Sequence, residues 1–111
     1  MQKVVGTTIT LTRGDTFKAT VKMLRKKTRE EYQPEAEDVI SFAMNRTYGS
    51  GEPLIEKTID NETLLLQLDP SDTSSLPIGD YVYDIEITFA NGDVDTFIAN
   101  GKIRLTEEVP R

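Results

Sequence analysis

The strongest constraint on the fold is a hydrophobic period of two that recurs along the chain. From Tyr81 to Phe89 every second residue is apolar, and the residues between them are Val82, Asp84, Glu86 and Thr88. Successive side chains of a β-strand point to opposite faces of the sheet, so this pattern is typical of a strand with one buried and one solvated face. The last third of the chain therefore predicts strand and not helix.

The same alternation recurs in further segments, separated by turn residues at intervals of roughly 8–12 residues. These segments are 8–12, 16–23, 40–45, 55–59, 64–68 and 94–105. Asp69 and Pro70 predict one helical turn, as N-cap and first helical residue. We expect an all-β chain whose residues 1–111 form a single immunoglobulin-like antiparallel β-sandwich of about seven strands. A small closed β-barrel is the alternative.

Two Asn-Gly dipeptides predict how the last two strands connect and pair. Asn91-Gly92 lies between two alternating runs, and this dipeptide favours a type I′ hairpin because both of its residues tolerate a positive φ. Farther on, the apolar positions change from even to odd numbers between Ile98 and Ile103. One inserted residue would keep the inward face unchanged, so we expect a β-bulge at Asn100-Gly101.

Two tyrosines at the start of the long strand predict how the sandwich is held together. Tyr81 follows Gly79 by two residues, an arrangement typical of a tyrosine corner, in which the hydroxyl binds the backbone a few residues upstream. Tyr83 occupies the inward position where antibody domains place their second cysteine. The chain has no cysteine, so packing must replace the disulfide there.

Composition removes several classes of function. The chain lacks Cys and His, which excludes disulfides, thiolate metal sites and imidazole catalysis. It carries 13 Lys and Arg against 19 Asp and Glu, a net charge of −6 that argues against nucleic-acid binding. No apolar run is long enough to span a membrane, and residues 1–6 do not lead into the apolar core of a secretory signal. We therefore expect neither nucleic acid nor membrane as a partner.

Six aspartates near turns are candidates for a calcium site or a catalytic carboxyl pair. A calcium ion needs six to eight converging oxygens, and a glycosidase needs two carboxyls at a set separation across a cleft. The sequence contains no D-x-[DN]-x-[DN]-G loop, and its aspartates alternate along strands. We expect no metal, no cofactor, no catalytic residues and no enzymatic activity. The candidates are Asp69, Asp72, Asp80, Asp84, Asp93 and Asp95.

A set of short segments spread over the chain carries a resemblance to a known family. The segments are Thr12–Phe17, Ile40–Phe42, Leu76–Ile85, Asn91-Gly92, Thr96 and Gly101–Ile103. They resemble the immunoglobulin-like domain of tailed-phage and prophage virion proteins, and are similar to the N-terminal domain of phage baseplate upper proteins, with its opening GDT-F and closing G-Y-Y-D-I…G…T…G-K-I. The resemblance covers nearly the whole chain. The charged segment from Arg25 to Asp38 departs from the short turn expected there.

The resemblance implies a non-enzymatic structural and interaction protein of a phage or prophage virion, located in tail, baseplate or head. It implies synthesis in the host bacterial cytoplasm and binding to other virion proteins through sheet edges and loops. Self-association is left open, as are the host, the partner, and whether the chain is a whole protein or an excised domain.

Three aromatic residues are the candidate partner-binding residues, namely Tyr32, Tyr48 and Phe97. Tyr32 lies in the charged segment, Tyr48 in a Gly-rich turn, and Phe97 on the outward parity of its strand. Exposed aromatics make good anchors at interfaces, although each of these could equally pack under a loop. The alternative function is a carbohydrate-binding module for host-surface glycans. Such a module needs a row of exposed aromatics, and this chain has four Tyr, four Phe and no Trp.

Overall fold

A computed structural model describes residues 2–5, 7–21, 34–47 and 51–107, without the side chains of residues 2–5, 99 and 100. Most of the charged segment that begins at Arg25 lies outside these ranges. The described part contains eight strands and one helical turn. They are β1 (Gln2–Val5), β2 (Thr8–Thr12), β3 (Phe17–Thr20), β4 (Val39–Asn45), β5 (Ile55–Ile59), β6 (Leu65–Leu68), α1 (Pro70–Thr73), β7 (Gly79–Thr88) and β8 (Val94–Thr106).

All seven predicted strands are present, and α1 begins at Pro70 with Asp69 as its N-cap, as predicted. The main-chain N–H of Asp69 donates to the Asp72 carboxylate at 2.7 Å, which closes the turn. Strand β1 was not predicted, because its sequence Gln-Lys-Val-Val places two polar residues before two apolar ones and shows no alternation.

The strands form two sheets that pack face to face. One sheet has six strands in the order β1-β2-β8-β7-β4-β5, and the other consists of β3 and β6. Neighbouring strands are antiparallel except β2 and β8, which run parallel with Ile9 opposite Ile103. The sheets do not close into a barrel, so the all-β, immunoglobulin-like sandwich is confirmed and the barrel alternative is wrong.

The hydrophobic core lies between the two sheets and is built from the inward positions of every strand from β2 to β8. Strand β7 shows the alternation most clearly, because each odd-numbered residue from Tyr81 to Ile87 is buried and each even-numbered one is partly accessible. Burial of these apolar side chains is the main driving force for the fold. The largest fully buried residues are Leu11, Phe17, Ile40, Phe42, Met44, Ile59, Leu68, Tyr81, Ile85, Ile87 and Ile103.

The turn between β2 and β3 is tied to α1 by polar contacts. Gly14 has a φ of +84° and donates its N–H to the hydroxyl of Thr73, which is 0% exposed, at 2.9 Å. The Arg13 guanidinium donates to the Leu76 carbonyl at 3.2 Å. The Thr12–Phe17 segment therefore anchors the helical turn to the sandwich, since these contacts satisfy polar groups at the rim of the core.

The predicted tyrosine corner is present. The Tyr81 hydroxyl donates to the Pro77 carbonyl at 2.5 Å, four residues upstream. Gly79 precedes it with a φ of +141°, a conformation that side chains rarely adopt. The guanidinium carbon of Arg46 lies 4.9 Å from the centre of the Tyr81 ring, so a cation–π contact covers the corner.

Tyr83, on β7, contacts residues on both sides of its strand within the six-stranded sheet. Its ring lies in the core, 5.4 Å from the ring of Phe42 between centroids. Its hydroxyl donates to the main-chain carbonyl of Thr7 at 2.9 Å, across 76 residues of sequence. The ring lies so close to Gly101 that a Cβ there would be 2.5 Å from it. Gly101 is therefore required because any side chain would collide with Tyr83.

The predicted β-bulge is confirmed, and a second one accompanies it. Gly101 pairs with Tyr83 and Ile98 with Ile85, so residues 99 and 100 together oppose Asp84 alone. Thr96 pairs with Glu86, the residue next to Ile85, so Phe97 is a second inserted residue. The parity argument detects one insertion only. The second shifts Val94 to the outer face, where it is 58% exposed.

The predicted type I′ turn at Asn91-Gly92 is wrong, although the hairpin itself is present. Among the described residues other than glycine only Leu64 has a positive φ, so Asn91 does not. Gly92 has a φ of +92° and donates to the Phe89 carbonyl at 2.9 Å, and Phe89 donates to Asp93 at 2.8 Å. This is a three-residue loop ending in a left-handed glycine, the next commonest hairpin connection.

We predict that Gly101→Ala destabilises the protein by about 1–3 kcal/mol, because the added methyl overpacks the space that the Tyr83 ring fills. Urea unfolding of the parent, Gly101→Ala, Tyr83→Leu and the double variant measures this cost in both backgrounds. The cost should be smaller when Tyr83 is Leu. An equal cost in the two backgrounds would show that the strain arises from another contact.

Candidate interaction surface

The outer face of the six-stranded sheet is accessible to solvent along its two central described strands, β4 and β7. Its centre is formed by the even-numbered residues of β7 and the odd-numbered residues of β4, all accessible to solvent to some degree. Strand β8 adds the exposed side chains of Lys102 and Arg104. The face is thus polar and open, with charges of both signs. Its residues include Ser41, Ala43, Asn45, Asp80, Val82, Asp84, Glu86 and Thr88.

The six candidate aspartates do not come together. Asp69 and Asp72 cap α1, and Asp80 forms an exposed ion pair with Arg104 at 3.0 Å between Oδ1 and Nε. Asp93 accepts a hydrogen bond from Asn91 at 3.2 Å at the hairpin tip. Within the described ranges no group of three or more acidic side chains could hold a metal ion. The carboxylates of Asp69, Asp72, Asp80 and Asp93 therefore act locally: they cap α1, pair with Arg104 or hold the hairpin tip.

A small pocket opens on the outer face where β4 and β7 meet residues 51–53. Ala43, Asn45, Val82 and Asp84 contribute to its wall, and its volume is about 150 Å³. The Asn45 side-chain amide donates to the carbonyls of Gly51 and Glu52 at 3.3 and 3.0 Å, holding the segment that borders the pocket. Typical small-molecule sites are several hundred Å³, so this pocket is small for a substrate.

Of the three candidate partner-binding aromatics, only Phe97 falls within the described residues. Tyr32 and Tyr48 lie outside them. Phe97 is half-buried and packs against the hydrophobic core, because the second bulge places it out of the regular alternation of β8. It is therefore partly available at the surface and partly committed to the core.

The edge strand β5 carries an inward-facing charge that sequence reasoning did not single out. Lys57 lies opposite the buried Phe42, on the inner face of the sheet, and its Nζ is 2.9 Å from the Asp72 carboxylate of α1. Within the described part β5 pairs only with β4. A partner strand added there would bury this charge at a cost in free energy, so Lys57 disfavours further strand pairing at this edge.

The first half of β8 is a second sheet edge, and two β-bulges interrupt it. Strand β2 pairs with β8 only from Lys102 onward, so among the described strands residues 94–100 pair with β7 alone. Both β-bulges lie in this half. Bulges disrupt the regular ladder that an added strand would need, and natural proteins use them to protect sheet edges.

The Asn61 side chain binds the segment that precedes β4, and no sequence motif indicated this role. Its side-chain amide lies 3.2, 3.0 and 3.1 Å from the carbonyl oxygens of Glu35, Ala36 and Asp38. The neighbouring Asp60 accepts hydrogen bonds from the main-chain N–H groups of Glu62 and Thr63. These two bonds favour the charged carboxylate and lower the pKa of Asp60, the Glu62 bond most.

We predict that Lys57→Val makes the protein self-associate through β5, because it replaces the guarding charge with a strand-favouring apolar residue. Sedimentation velocity over a concentration series measures this. Asp72→Asn is the matched control, since it breaks the same ion pair but leaves the lysine charge on the edge. If both variants show the same association state, Lys57 does not guard this edge.

We predict that Asp60→Asn removes part of the acid sensitivity of the fold. The lowered folded-state pKa means that Asp60 stabilises the protein above its ordinary pKa of 3.8, and that this contribution is lost as the pH falls through the lower folded value. The amide oxygen of Asn can accept the same bonds at every pH. Urea unfolding of both proteins at a series of pH values should show their difference shrinking below about pH 4. A difference that stays constant would contradict the assignment.

No family model matches the chain, and no curated protein matches it. The single helix of the described part has four residues, far fewer than a membrane span requires. Among solved structures the chain is similar to the crystal structure of CopC from Methylosinus trichosporium OB3b, with 16% identity over 68% of this chain and 74% of that protein. The TM-score of this match is 0.40, which supports no inference about function.

Proposed function

We propose that the protein is a non-enzymatic structural and interaction domain of a phage or prophage virion, bound to other virion proteins in the tail, baseplate or head. The observation that carries the proposal is the placement of the residues that resemble the virion family. Gly14, Tyr81 and Gly101 each make a contact that this sandwich depends on. The residues that carry the resemblance are thus fold determinants, as expected of a domain whose role is to present surfaces.

The guarded edges favour one mode of binding over another. An added strand would meet Lys57 at β5 and two bulges at the first half of β8. Side-by-side packing, in which loops and sheet margins touch a neighbour without joining its sheet, avoids both obstacles. This mode suits a domain that is present in many copies, because uncontrolled edge pairing between copies would cause aggregation.

The distribution of polar groups supports a role in assembly more than one in catalysis. Asp72 binds Lys57 and the N-terminus of α1, and Asp60 holds a turn. The pocket on the outer face offers about 150 Å³ and borders on one carboxylate, that of Asp84. These groups stabilise the fold or remain solvated, as in a scaffold.

Carbohydrate binding gains no support from the aromatic residues. Six of the eight aromatic side chains are described; four of them are buried, and the other two, Phe89 and Phe97, are half-buried. A glycan-binding surface needs exposed aromatic faces. Glycan binding is therefore kept as the alternative result in the experiment below. The six are Phe17, Phe42, Tyr81, Tyr83, Phe89 and Phe97.

We predict that the protein co-purifies with phage particles released from the bacterium that encodes it. Quantitative mass spectrometry of density-gradient-purified particles should find it in constant ratio to the major tail and capsid proteins. Particles washed in high salt serve as the control for adsorbed protein. Expression of the protein without any in the particles would refute the proposal, and saturable binding to host polysaccharide in that case would support the glycan alternative.

A further inference from the structure

The tripeptide Ala-Asn-Gly occurs twice in the sequence, in two very different settings. One copy spans Ala90–Gly92 in the hairpin loop, and the other spans Ala99–Gly101 inside strand β8. In an Asn-Gly pair the main-chain nitrogen of glycine can attack the side-chain amide carbon of asparagine, because glycine offers no side chain to hinder the approach. The reaction also requires the backbone to rotate out of an extended, hydrogen-bonded conformation.

The first copy lies where this rotation costs little. Asn91, Gly92 and Asp93 are all exposed. A Cβ at Gly92 would meet nothing within 4 Å, so the space around the attacking nitrogen is open. Within the loop the Gly92 nitrogen is held only by its bond to the Phe89 carbonyl at 2.9 Å. Hairpin tips of this kind open locally at small free-energy cost.

The side-chain amide of Asn91, whose carbon would be attacked, is hydrogen-bonded at this site. The Asn91 side-chain oxygen accepts a hydrogen bond from the Asp93 N–H at 2.9 Å, and its nitrogen donates to the Asp93 carboxylate at 3.2 Å. A donor on the amide oxygen polarises the carbonyl and stabilises the negative charge that develops there during attack. The loop therefore presents both partners of the reaction in solvent.

The second copy has the same tripeptide sequence, but the glycine that follows its asparagine is held in the β7–β8 ladder. Gly101 is buried, pairs with Tyr83 in the ladder, and lies in van der Waals contact with its ring. The next residue, Lys102, donates its N–H to the Thr7 carbonyl at 3.2 Å. Ring closure at Asn100 would require β8 to separate from its neighbours, which approaches global unfolding in cost.

We propose that Asn91 is a site of spontaneous deamidation to aspartate and isoaspartate, and that the fold protects Asn100 from the same reaction. The Gly92 nitrogen forms a bond to Cγ of Asn91 and loses its proton, while the bond from Cγ to Nδ2 of Asn91 breaks and Nδ2 leaves as ammonia. Water then opens the five-membered ring at either carbonyl. No oxidation or reduction is involved.

The products change the tip of the β7–β8 hairpin. Either product adds one negative charge beside the Asp93 carboxylate and replaces the amide that donates to it with an acceptor. Isoaspartate also places an extra methylene in the backbone of a loop that closes in three residues. The modification therefore loosens the hairpin while the core, which ends at Ile87 on β7, stays intact.

The experiment follows both asparagines in one sample. The purified protein is incubated at mildly alkaline pH, folded in one arm and in concentrated urea in the other, and peptide mapping by mass spectrometry measures conversion at each tripeptide. In the folded arm Asn91 should convert at least about tenfold faster than Asn100. In urea the two should convert at similar rates, because the Ala-Asn-Gly tripeptides are identical. Asn91→Ser removes the reactive amide and should leave only the slow conversion at Asn100.

Two results would overturn the proposal. Equal rates at Asn91 and Asn100 in the folded arm would show that the fold does not discriminate between the two copies. No conversion of Asn91 in the folded arm over a period that converts it in urea would show that the hairpin loop protects it.

Discussion

The close approach of the Tyr83 ring to Gly101 is the contact on which the rest of the sandwich depends. It joins the two longest strands, β7 and β8, at the centre of the six-stranded sheet. The same side chain reaches Thr7 with its hydroxyl, so one residue connects the pairing of β7 and β8 to the start of β2. A cystine would hold such a position covalently. Here a ring, a glycine and one hydrogen bond hold it by packing, which suits a protein without cysteine.

Polar contacts at the rim of the core position everything that packing leaves undetermined. The Thr73 hydroxyl accepts from the Gly14 N–H, the Tyr81 hydroxyl donates to the Pro77 carbonyl, and the Asn61 amide contacts three carbonyls just before β4. Each contact satisfies main-chain groups that turns leave without a partner in a ladder. The loops are thereby held in place without adding to the core. A sandwich of this size can then expose a broad, polar outer face and remain well defined.

The two exposed sheet edges of the described part carry features that disfavour the addition of a strand. Lys57 on the inner side of β5 and the two bulges of β8 both work against strand addition, whereas the outer face carries Asp84, Glu86 and Lys102 in the open. Unprotected sheet edges pair without selectivity, so such features limit aggregation. Side-by-side contact through loops and sheet margins, the mode of binding that we propose, is compatible with both features.

The sequence by itself determined the class of fold, the seven strands from β2 to β8, the capped turn at Pro70, the tyrosine corner and the first bulge. All of these follow from period-two alternation or from local backbone chemistry, which a single sequence displays. It did not reveal β1, the turn type at Asn91, or the second bulge at Phe97, because these depend on which strand lies alongside. The ion pair of Lys57 with Asp72 and the hydrogen bonds of Asn61 to the segment before β4 were not predicted either, since both join segments distant in sequence. Only the tertiary structure decided these features, because a side chain's role at an edge or rim is determined by neighbours that the local pattern does not specify.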